Sequence, residues 1–424
     1  MDGWSGSNRL ALVAGWLLVA CVAGCGAGRK PGDWVGVREV TPTFLAALGA
    51  RDAALAADSH GRVALTFVTR DSSGGKDLWL SVSQDSGTTF EAPQRVNPRP
   101  GSVNSFPEGR PQAVFGAAGR LAVAWVERRE GDAHAADIAV RGSGDGGRTL
   151  SPMAIVNDDL EDPKQAFHGF PALAFLPDGS LFAAWMDERE LPATGEEPTR
   201  AAIFYAVSPD GGQNWSDNRM LTDAMCPCCR PVALSDSAGR VAIAYRSAMD
   251  DVRDPAIAVL LRGGEQFALD AMISEDGWKL AGCPAVGSAL TWNGPAGGHY
   301  AWYTGADPPG VYVAPWRPES GLAGVKRGLN DSLSGASHPR LAALGETTLI
   351  GVEGRPLDDS TRTVLAVRAL RSDGSLTPWC FLGADATDGA IAGLDPGHAV
   401  ACWAEHEATG PRTRVARLTL RAGR

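Results

Sequence analysis

The amino-acid sequence predicts an all-β fold, a β-propeller made of seven four-stranded blades. The composition, with 52 Gly and 28 Pro among 424 residues, favours many tight turns over long helices. A pattern of strand, Gly turn and strand returns along the chain, at intervals of about fifty to sixty residues. Units that cannot bury both of their faces alone, repeated in series, close into a ring of blades.

The repeat has seven copies, of which the last three are more divergent. The first four copies are "AALAADSHGRVALTFVTR" (Ala53–Arg70), "RPQAVFGAAGRLAVAWVERR" (Arg110–Arg129), "FPALAFLPDGSLFAAWMDER" (Phe170–Arg189) and "RPVALSDSAGRVAIAYR" (Arg230–Arg246). The others begin at Cys283, His338 and Gly389. Only one clear strand, "RVARLTL", follows the last copy, so we expect a strand from the N-terminal "DWVGVREVT" to complete that blade and close the ring.

A polar octapeptide recurs three times, each time directly after an apolar strand. The copies are "SQDSGTTF" (Ser83–Phe90), "SGDGGRTL" (Ser143–Leu150) and "SPDGGQNW" (Ser208–Trp215). Gly supplies the positive φ of a hairpin turn, and the Asp carboxylate accepts hydrogen bonds from the turn's own backbone. We therefore expect Asp85, Asp145 and Asp210 to have a structural role.

The octapeptide resembles the Asp-box of sialidases and other BNR-repeat proteins. This resemblance implies a propeller in which the boxes lie away from the active site. Sialidases have six blades, so six blades are the alternative to the seven counted here. The run "CPCC", with "DGW" and "GCP" downstream, also resembles a group of uncharacterised bacterial sialidase-family lipoproteins.

The N-terminus has the features of an export signal. Residues 1–25 contain an apolar stretch that is too short for a stable membrane span, and it ends in "LVAC" and "VAGC". Both ends resemble the lipobox of bacterial lipoproteins, so either Cys21 or Cys25 is the expected lipidation site, with a plain membrane anchor as the alternative. We expect a linker with the ring-closing strand over residues 26–47 and the propeller over residues 48–424.

These signals predict a protein of the cell envelope, held by lipid at the periplasmic face or the cell surface. The formal net charge of −10 and the pI near 5.3 leave no basic surface for phosphates, so nucleic acid is not an expected partner. The sequence contains no signal for the oligomeric state.

In a propeller the innermost strand of each blade lines the central channel. The residues that directly precede the Pro at the start of these strands are Arg110, Phe170, Arg230, Cys283 and His338. We expect a ligand site at the channel mouth, formed by Arg110, Arg230, His338 and Phe170. The expected ligand is a glycan or another component of the envelope.

Four cysteines are expected beside this mouth. Cys226, Cys228 and Cys229 directly precede Arg230, and Cys283 belongs to the next unit. Thiolates are ligands for Zn²⁺ or Cu(I), so a metal or redox site is one hypothesis. A disulfide from Cys226 or Cys228 to Cys283 is a second hypothesis, and unpaired thiols are a third.

The sialidase resemblance also implies a glycoside hydrolase as an alternative function. That family uses an arginine cluster for the sugar carboxylate, a Tyr nucleophile activated by a Glu, and an Asp acid/base. Candidates for these roles are Arg110 and Arg230 with Arg246 or Arg355, then Tyr300 or Tyr303, and Glu353. No Arg-Ile-Pro signature stands near residues 34–50, so ligand binding is the leading expectation and catalysis the alternative.

Overall fold

The computed structural model describes residues 34–131, 134–161, 166–191, 200–262, 266–408 and 410–421. These residues form seven antiparallel sheets, which are blades 1 to 7 in chain order. The innermost strand of every blade contacts the innermost strands of the two neighbouring blades, and blade 7 contacts blade 1. The prediction of a seven-bladed β-propeller is therefore confirmed, and the six-bladed alternative is wrong.

Each blade is described by its strands from the channel outward. Blade 1 comprises Arg51–Ala57, Val63–Arg70, Lys76–Ser83 and Gln94–Arg95. Blade 2 comprises Gln112–Phe115, Leu121–Arg128, Ala136–Ser143 and Ala154–Ile155, with Val103–Asn104 also paired to its second strand. Blade 3 comprises His168–Phe175, Leu181–Asp187, Ala201–Ser208 and Arg219–Met225.

The remaining blades follow the same order. Blade 4 comprises Val232–Ser235, Val241–Arg246, Pro255–Leu260 and Phe267–Met272. Blade 5 comprises Ala289–Leu290, Gly298–Thr304, Gly310–Arg317 and Gly321–Leu322, and Arg327–Gly328 also pairs with its third strand. Blade 6 comprises Leu333–Leu344, Thr347–Pro356, Val364–Leu370 and Cys380–Leu382. Blade 7 comprises Ala386–Asp395, His398–Glu407, Gly410–Leu420 and Val35–Glu39.

The ring is closed by pairing the two ends of the described chain. Val35–Glu39 lies antiparallel to Gly410–Leu420 as the outermost strand of blade 7. Trp34 and Val35 are buried in the core between blades 6 and 7. A short helix, Thr43–Leu48, then places Leu45 in the core between blades 7 and 1, and it ends at Gly49, whose φ of 65° suits glycine. Two 3₁₀ turns lie elsewhere in the described ranges, at Ala117–Gly119 and Met249–Asp251.

The hydrophobic core is divided into clusters that each lie between two consecutive blades. The middle strands are apolar on both faces because neighbouring blades cover both. Trp125 packs between blades 1 and 2, and Trp185 packs between blades 2 and 3. Each indole N–H donates to the carboxylate two residues later, Glu127 at 2.8 Å and Asp187 at 2.7 Å. The acids at these strand ends thus satisfy buried donors.

The three octapeptides form the turns between the third and fourth strands of blades 1, 2 and 3. In the blade 3 copy, Asp210 accepts hydrogen bonds from the backbone N–H of Gln213 and of Asn214, both at 3.0 Å. Asp85 and Asp145 make the same kind of contact in their own turns. Hydrogen bonds from Thr149 and Ser143 hold the pKa of Asp145 well below its usual range. All three carboxylates are therefore used within their own turns.

The proposed signal peptide and both candidate lipidation sites, Cys21 and Cys25, lie outside the described residues. Within the described ranges, no helix combines the length and the apolar character needed to cross a membrane.

Candidate functional site

The strand registers identify the residue that each blade presents at the same level of the channel. On the second strand, the equivalent positions are Thr66, Ala124, Ala184, Ala244, Ala301, Gly351 and Cys402. Their partners on the innermost strands are Ala54, Gln112, Ala172, Val232, Ala289, Arg340 and Ala390. All seven partners line one cavity of about 260 Å³. The cavity is thus the channel itself, and Arg340 is the one charged residue at this level.

The charged residues that line the cavity are Glu108, Arg110, Arg230 and Arg340. Three positive groups therefore surround one negative group. The rest of the lining is mostly aliphatic and contributes no charge to offset the arginines. Such a cavity favours an anionic ligand because charges interact more strongly away from bulk water.

Glu108 bridges two of these arginines. Its Oε1 accepts a hydrogen bond from Nη2 of Arg340 at 2.8 Å, and its Oε2 lies 3.2 Å from Nε of Arg230. The backbone N–H of Gly287 also donates to Oε2 at 3.1 Å. Burial alone would raise the pKa of Glu108, but Arg340 and Arg230 outweigh it and hold that pKa well below its usual range.

Nearby carboxylates offset the positive charge of Arg340 more fully than that of Arg230. Burial opposes the charge of Arg340, but Glu108 and Glu353 together raise its pKa. Burial and the nearby Arg340 lower the pKa of Arg230 to about 9, which Glu108 only partly offsets. Arg230 also has a long contact of 3.5 Å from Nη2 to the carbonyl of Pro339, and its Nη1 has no hydrogen-bond partner among the described residues. Arg230 is therefore the guanidinium with spare capacity for a ligand.

Arg110 has a different role, because backbone carbonyls already occupy its guanidinium. Its Nη1 donates to the carbonyls of Ala53 at 2.9 Å and Asp388 at 2.8 Å, and its Nε donates to Pro107 at 2.5 Å. These contacts join blades 1, 2 and 7 at the channel. Arg110 thus contributes positive charge to the cavity while it holds the ring together.

The other residues expected at the mouth lie in different surroundings. Phe170 is 4% exposed and packs edge-on against Phe106, with 5.3 Å between ring centroids. His338 lies beside the arginines, with its Nδ1 2.9 Å from Ser337 Oγ and 3.8 Å from Glu353 Oε2. In blade 5 the position equivalent to Arg230 is Gly287, and Cys283 lies four residues earlier. The structure therefore brings together Arg110, Arg230 and His338, but it places Phe170 in the core.

Of the residues named for hydrolysis, Arg110 and Arg230 line the channel cavity, but the two candidate tyrosines do not. Tyr300 is fully buried between blades 4 and 5, and its hydroxyl group lies 2.8 Å from Ser288 Oγ. Burial raises its pKa far above the usual range, which is unsuited to a nucleophile. Tyr303 packs edge-on against Trp278, and Arg355 is exposed. Glu353 accepts a hydrogen bond from the N–H of Gly389 at 2.9 Å, which joins blades 6 and 7.

The cysteines gather at the junction of blades 3, 4 and 5. Cys228 forms a disulfide with Cys283 across 55 residues of sequence. Cys226 and Cys229 are thiols with no solvent exposure. The sulfur atoms of Cys226, Cys228 and Cys229 all lie within 4.8 Å of one another. The structure thus contains the disulfide of the second hypothesis, between Cys228 and Cys283, and it leaves Cys226 and Cys229 as two adjacent thiols.

Two residues of the site escaped the sequence reasoning. Arg340 stands one residue after the Pro of its inner strand, where the other copies have Gln, Ala or Val. Comparing the residue after the proline in each copy, as well as the residue before it, would have found Arg340. Glu108 lies in the loop before Arg110, outside the repeat, and no pattern in the sequence marks it.

Comparisons with known proteins found matches among solved structures. No protein-family model and no curated protein matches the chain. Among solved structures, a puromycin hydrolase is 17% identical, with 83% of this chain and 50% of that chain covered and a TM-score of 0.51. An α-L-arabinofuranosidase of Fusarium graminearum is 14% identical over 92% of this chain and 98% of its own, with a TM-score of 0.49. A sialidase of Trypanosoma rangeli is 13% identical over 90% of this chain and 59% of its own, with a TM-score of 0.45. At these identities the similarity concerns the fold alone.

Proposed function

We propose that this protein is an envelope-anchored binding protein whose channel mouth holds a small anionic ligand, namely a glycan bearing a carboxylate. The observation that carries the proposal is the charge of the cavity lining, which holds Arg110, Arg230 and Arg340 but only one carboxylate, Glu108. A bound anion would add negative charge beside Arg230, the arginine whose charge is least offset by nearby carboxylates.

Arg230 is the group that would contact the ligand directly. Its lowered pKa reflects burial next to a second guanidinium, and an anion at Nη1 would relieve that repulsion. Guanidinium groups match planar carboxylates with paired hydrogen bonds, which are stronger than neutral ones. A carboxylate therefore fits this position better than a neutral hydroxyl group does.

The size of the cavity restricts the ligand. Its volume of about 260 Å³ lies just below the roughly 300–1,000 Å³ of sites for drug-sized molecules. One acidic sugar residue at the mouth, with the rest of the glycan outside, is consistent with this volume. Hydrolysis is not proposed, because Tyr300 and Tyr303 lie in packed surroundings and neither lines the cavity that holds Arg110, Arg230 and Arg340.

The experiment compares galacturonate with galactose by isothermal titration calorimetry. The two sugars differ only at C6, which is a carboxylate in galacturonate and a neutral hydroxymethyl group in galactose. We expect galacturonate to bind and galactose to bind at least tenfold more weakly, a difference of about 1.4 kcal/mol. Arg230→Gln should abolish the preference. Arg38→Gln removes the same charge from an exposed site on the outermost strand of blade 7 and should leave binding unchanged. Equal binding of the two sugars, or an unchanged preference in Arg230→Gln, would contradict the proposal.

The envelope anchor is tested separately. We propose acylation at Cys21 or Cys25, based on the two lipobox-like segments. Labelling of expressing cells with a radioactive fatty acid should mark the wild type, and Cys21→Ser or Cys25→Ser should remove the label. If neither single variant nor the double variant changes the labelling, the anchor is not a lipid on these cysteines.

A further inference from the structure

The four clustered cysteines form a group separate from the apolar cores of the blades. Cys226 and Cys229 pack with Ala248, and the half-buried Cys228 lies against them. Cys226 begins the loop that joins blade 3 to blade 4, and the N–H of Cys229 donates to the carbonyl of Cys226 at 3.3 Å. Cys283 is exposed on the loop before blade 5. An inner dithiol thus lies directly beside an outer disulfide.

The distances allow chemistry between the two pairs. The sulfur of Cys226 lies 3.6 Å from the sulfur of Cys228, which is already bonded to Cys283. Thiol–disulfide exchange requires a thiolate within reach of one sulfur of a disulfide, with the other sulfur free to leave. Cys226, Cys228 and Cys283 provide the nucleophile, the central sulfur and the leaving group in that order.

A buried positive charge beside the dithiol favours the thiolate form. Arg246 has no solvent exposure, and it donates to the carbonyls of Arg253 at 2.6 Å, Val286 at 3.1 Å and Tyr303 at 2.9 Å. No carboxylate pairs with Arg246 among the described residues. A buried charge without a counter-ion is costly. A hydrogen bond from Cys229, together with Arg253 and Arg246, lowers the pKa of Cys226 to about 7 against the opposing effect of burial.

We propose that Cys226, Cys228, Cys229 and Cys283 form a thiol–disulfide exchange centre. The Cys226 thiolate attacks the sulfur of Cys228, the Cys228–Cys283 bond breaks, and Cys283 leaves as the thiolate. Cys229, after losing its proton, attacks Cys226, a Cys226–Cys229 bond forms, and Cys228 leaves as the thiolate. The two protons of the inner pair pass to the outer pair, and two electrons pass with them, so the exchange needs no external oxidant. The exposed Cys283 thiolate then attacks an external disulfide and releases one thiol, and Cys228 attacks the resulting mixed disulfide at Cys283 and releases the second. This restores the Cys228–Cys283 bond and leaves all four cysteines oxidised.

The test traps the exchange in the native protein. Protein purified without reductant is incubated with a small alkylating reagent and no added thiol, then denatured, and its disulfides and labelled cysteines are mapped by mass spectrometry. In the wild type we expect the label to accumulate on Cys283 together with a Cys226–Cys229 disulfide. In Cys226→Ser, labelling of Cys283 should fall at least tenfold. Cys402→Ala, which removes a buried thiol in the core between blades 7 and 1, should behave as the wild type does.

A second variant keeps the test informative if Cys226→Ser does not fold. Cys229→Ala permits the first attack and prevents the second, so Cys283 should still be labelled while a Cys226–Cys228 bond is trapped. Two results would overturn the proposal. One is a wild type in which Cys228–Cys283 is the sole pairing and Cys283 stays unlabelled, as expected of a static staple. The other is a native mass with zinc or copper bound to four reduced cysteines. Neither readout involves the channel ligand, so the outcome is independent of the proposed function.

Discussion

The Glu108 carboxylate and the Arg340 guanidinium meet at 2.8 Å across the channel, and this contact joins the loop before blade 2 to the inner strand of blade 6. The same carboxylate reaches Arg230 of blade 4 at 3.2 Å. One buried acid therefore holds three blades in position around the proposed ligand site. Because its removal leaves two buried guanidinium groups without their shared counter-ion, this contact has measurable consequences for stability.

We expect Glu108→Gln to lower the free energy of unfolding by about 3 kcal/mol at pH 7. The depressed pKa of Glu108 means that its contribution is present above the unfolded-state value of about 4.3 and is lost as the pH falls further. The free energies of unfolding of the wild type and the variant, measured in urea, should therefore approach each other progressively as the pH falls below about 4. An equal difference at pH 7 and at pH 3 would show that the charge of Glu108 is not the cause.

The contribution of His168 to the free energy of unfolding should change with pH in the opposite direction. It has no solvent exposure, and its Nε2 lies 3.1 Å from Asp159 and 3.5 Å from Asp187. Burial would lower the pKa of His168, but these two acids outweigh it and raise that pKa. The stabilisation is thus fully present below the unfolded-state value of about 6.5 and is lost as the pH rises through the folded-state value. His168→Gln should cost about 2 kcal/mol at pH 6 and less at pH 9, as measured by denaturant unfolding. A cost that grows with pH would contradict this assignment.

The octapeptide turns should depend on their first serine. Ser208 is buried, and its Oγ accepts a hydrogen bond from the N–H of Gly212 at 2.7 Å while it donates to Asp210 at 2.8 Å. Ser208→Ala should lower the free energy of unfolding by about 1–2 kcal/mol, because a buried donor loses its acceptor. Ser59→Ala changes an exposed serine in the first turn of blade 1 and serves as the control. Equal stability of the two variants would indicate that the turn does not rely on this hydrogen bond.

The disulfide should influence the channel as well as the stability. Cys229 directly precedes Arg230, and Gly287, which donates to Glu108, lies four residues after Cys283. Cys228→Ser combined with Cys283→Ser should lower the free energy of unfolding by about 2–4 kcal/mol. It should also weaken galacturonate binding, because both loops that position the Glu108–Arg230 pair become freer. Calorimetry at a temperature where both proteins are folded separates the two effects, and unchanged affinity would show that the loops are held by other contacts.

The sequence predicted the blades well because each unit repeats the same strand and turn chemistry. Even the strand Val35–Glu39, which pairs with the C-terminal strand, follows from counting the strands of the last unit. The site was harder to predict. Arg110 and Arg230 were found because each precedes a proline, whereas Cys283 was misaligned because blade 5 has extra residues between Pro284 and its inner strand.

The surroundings of the other candidate residues also have local causes. Tyr300 was a reasonable nucleophile candidate by residue type, but its strand position faces the core between two blades. Phe170 aligns with the arginines, yet an aromatic side chain gains more from packing against Phe106 than from lining a charged channel. Glu108 was missed because a single acid in a loop becomes significant only when the fold places it between two arginines.

The central claim is that the channel mouth binds a carboxylate through Arg230, and a crystal structure of the protein soaked with galacturonate tests it most directly. We predict density for the sugar at the mouth, with a carboxylate oxygen about 2.7–2.9 Å from Nη1 of Arg230. Sugar bound elsewhere on the ring, or bound at the mouth with its carboxylate turned away from Arg230, would contradict the account.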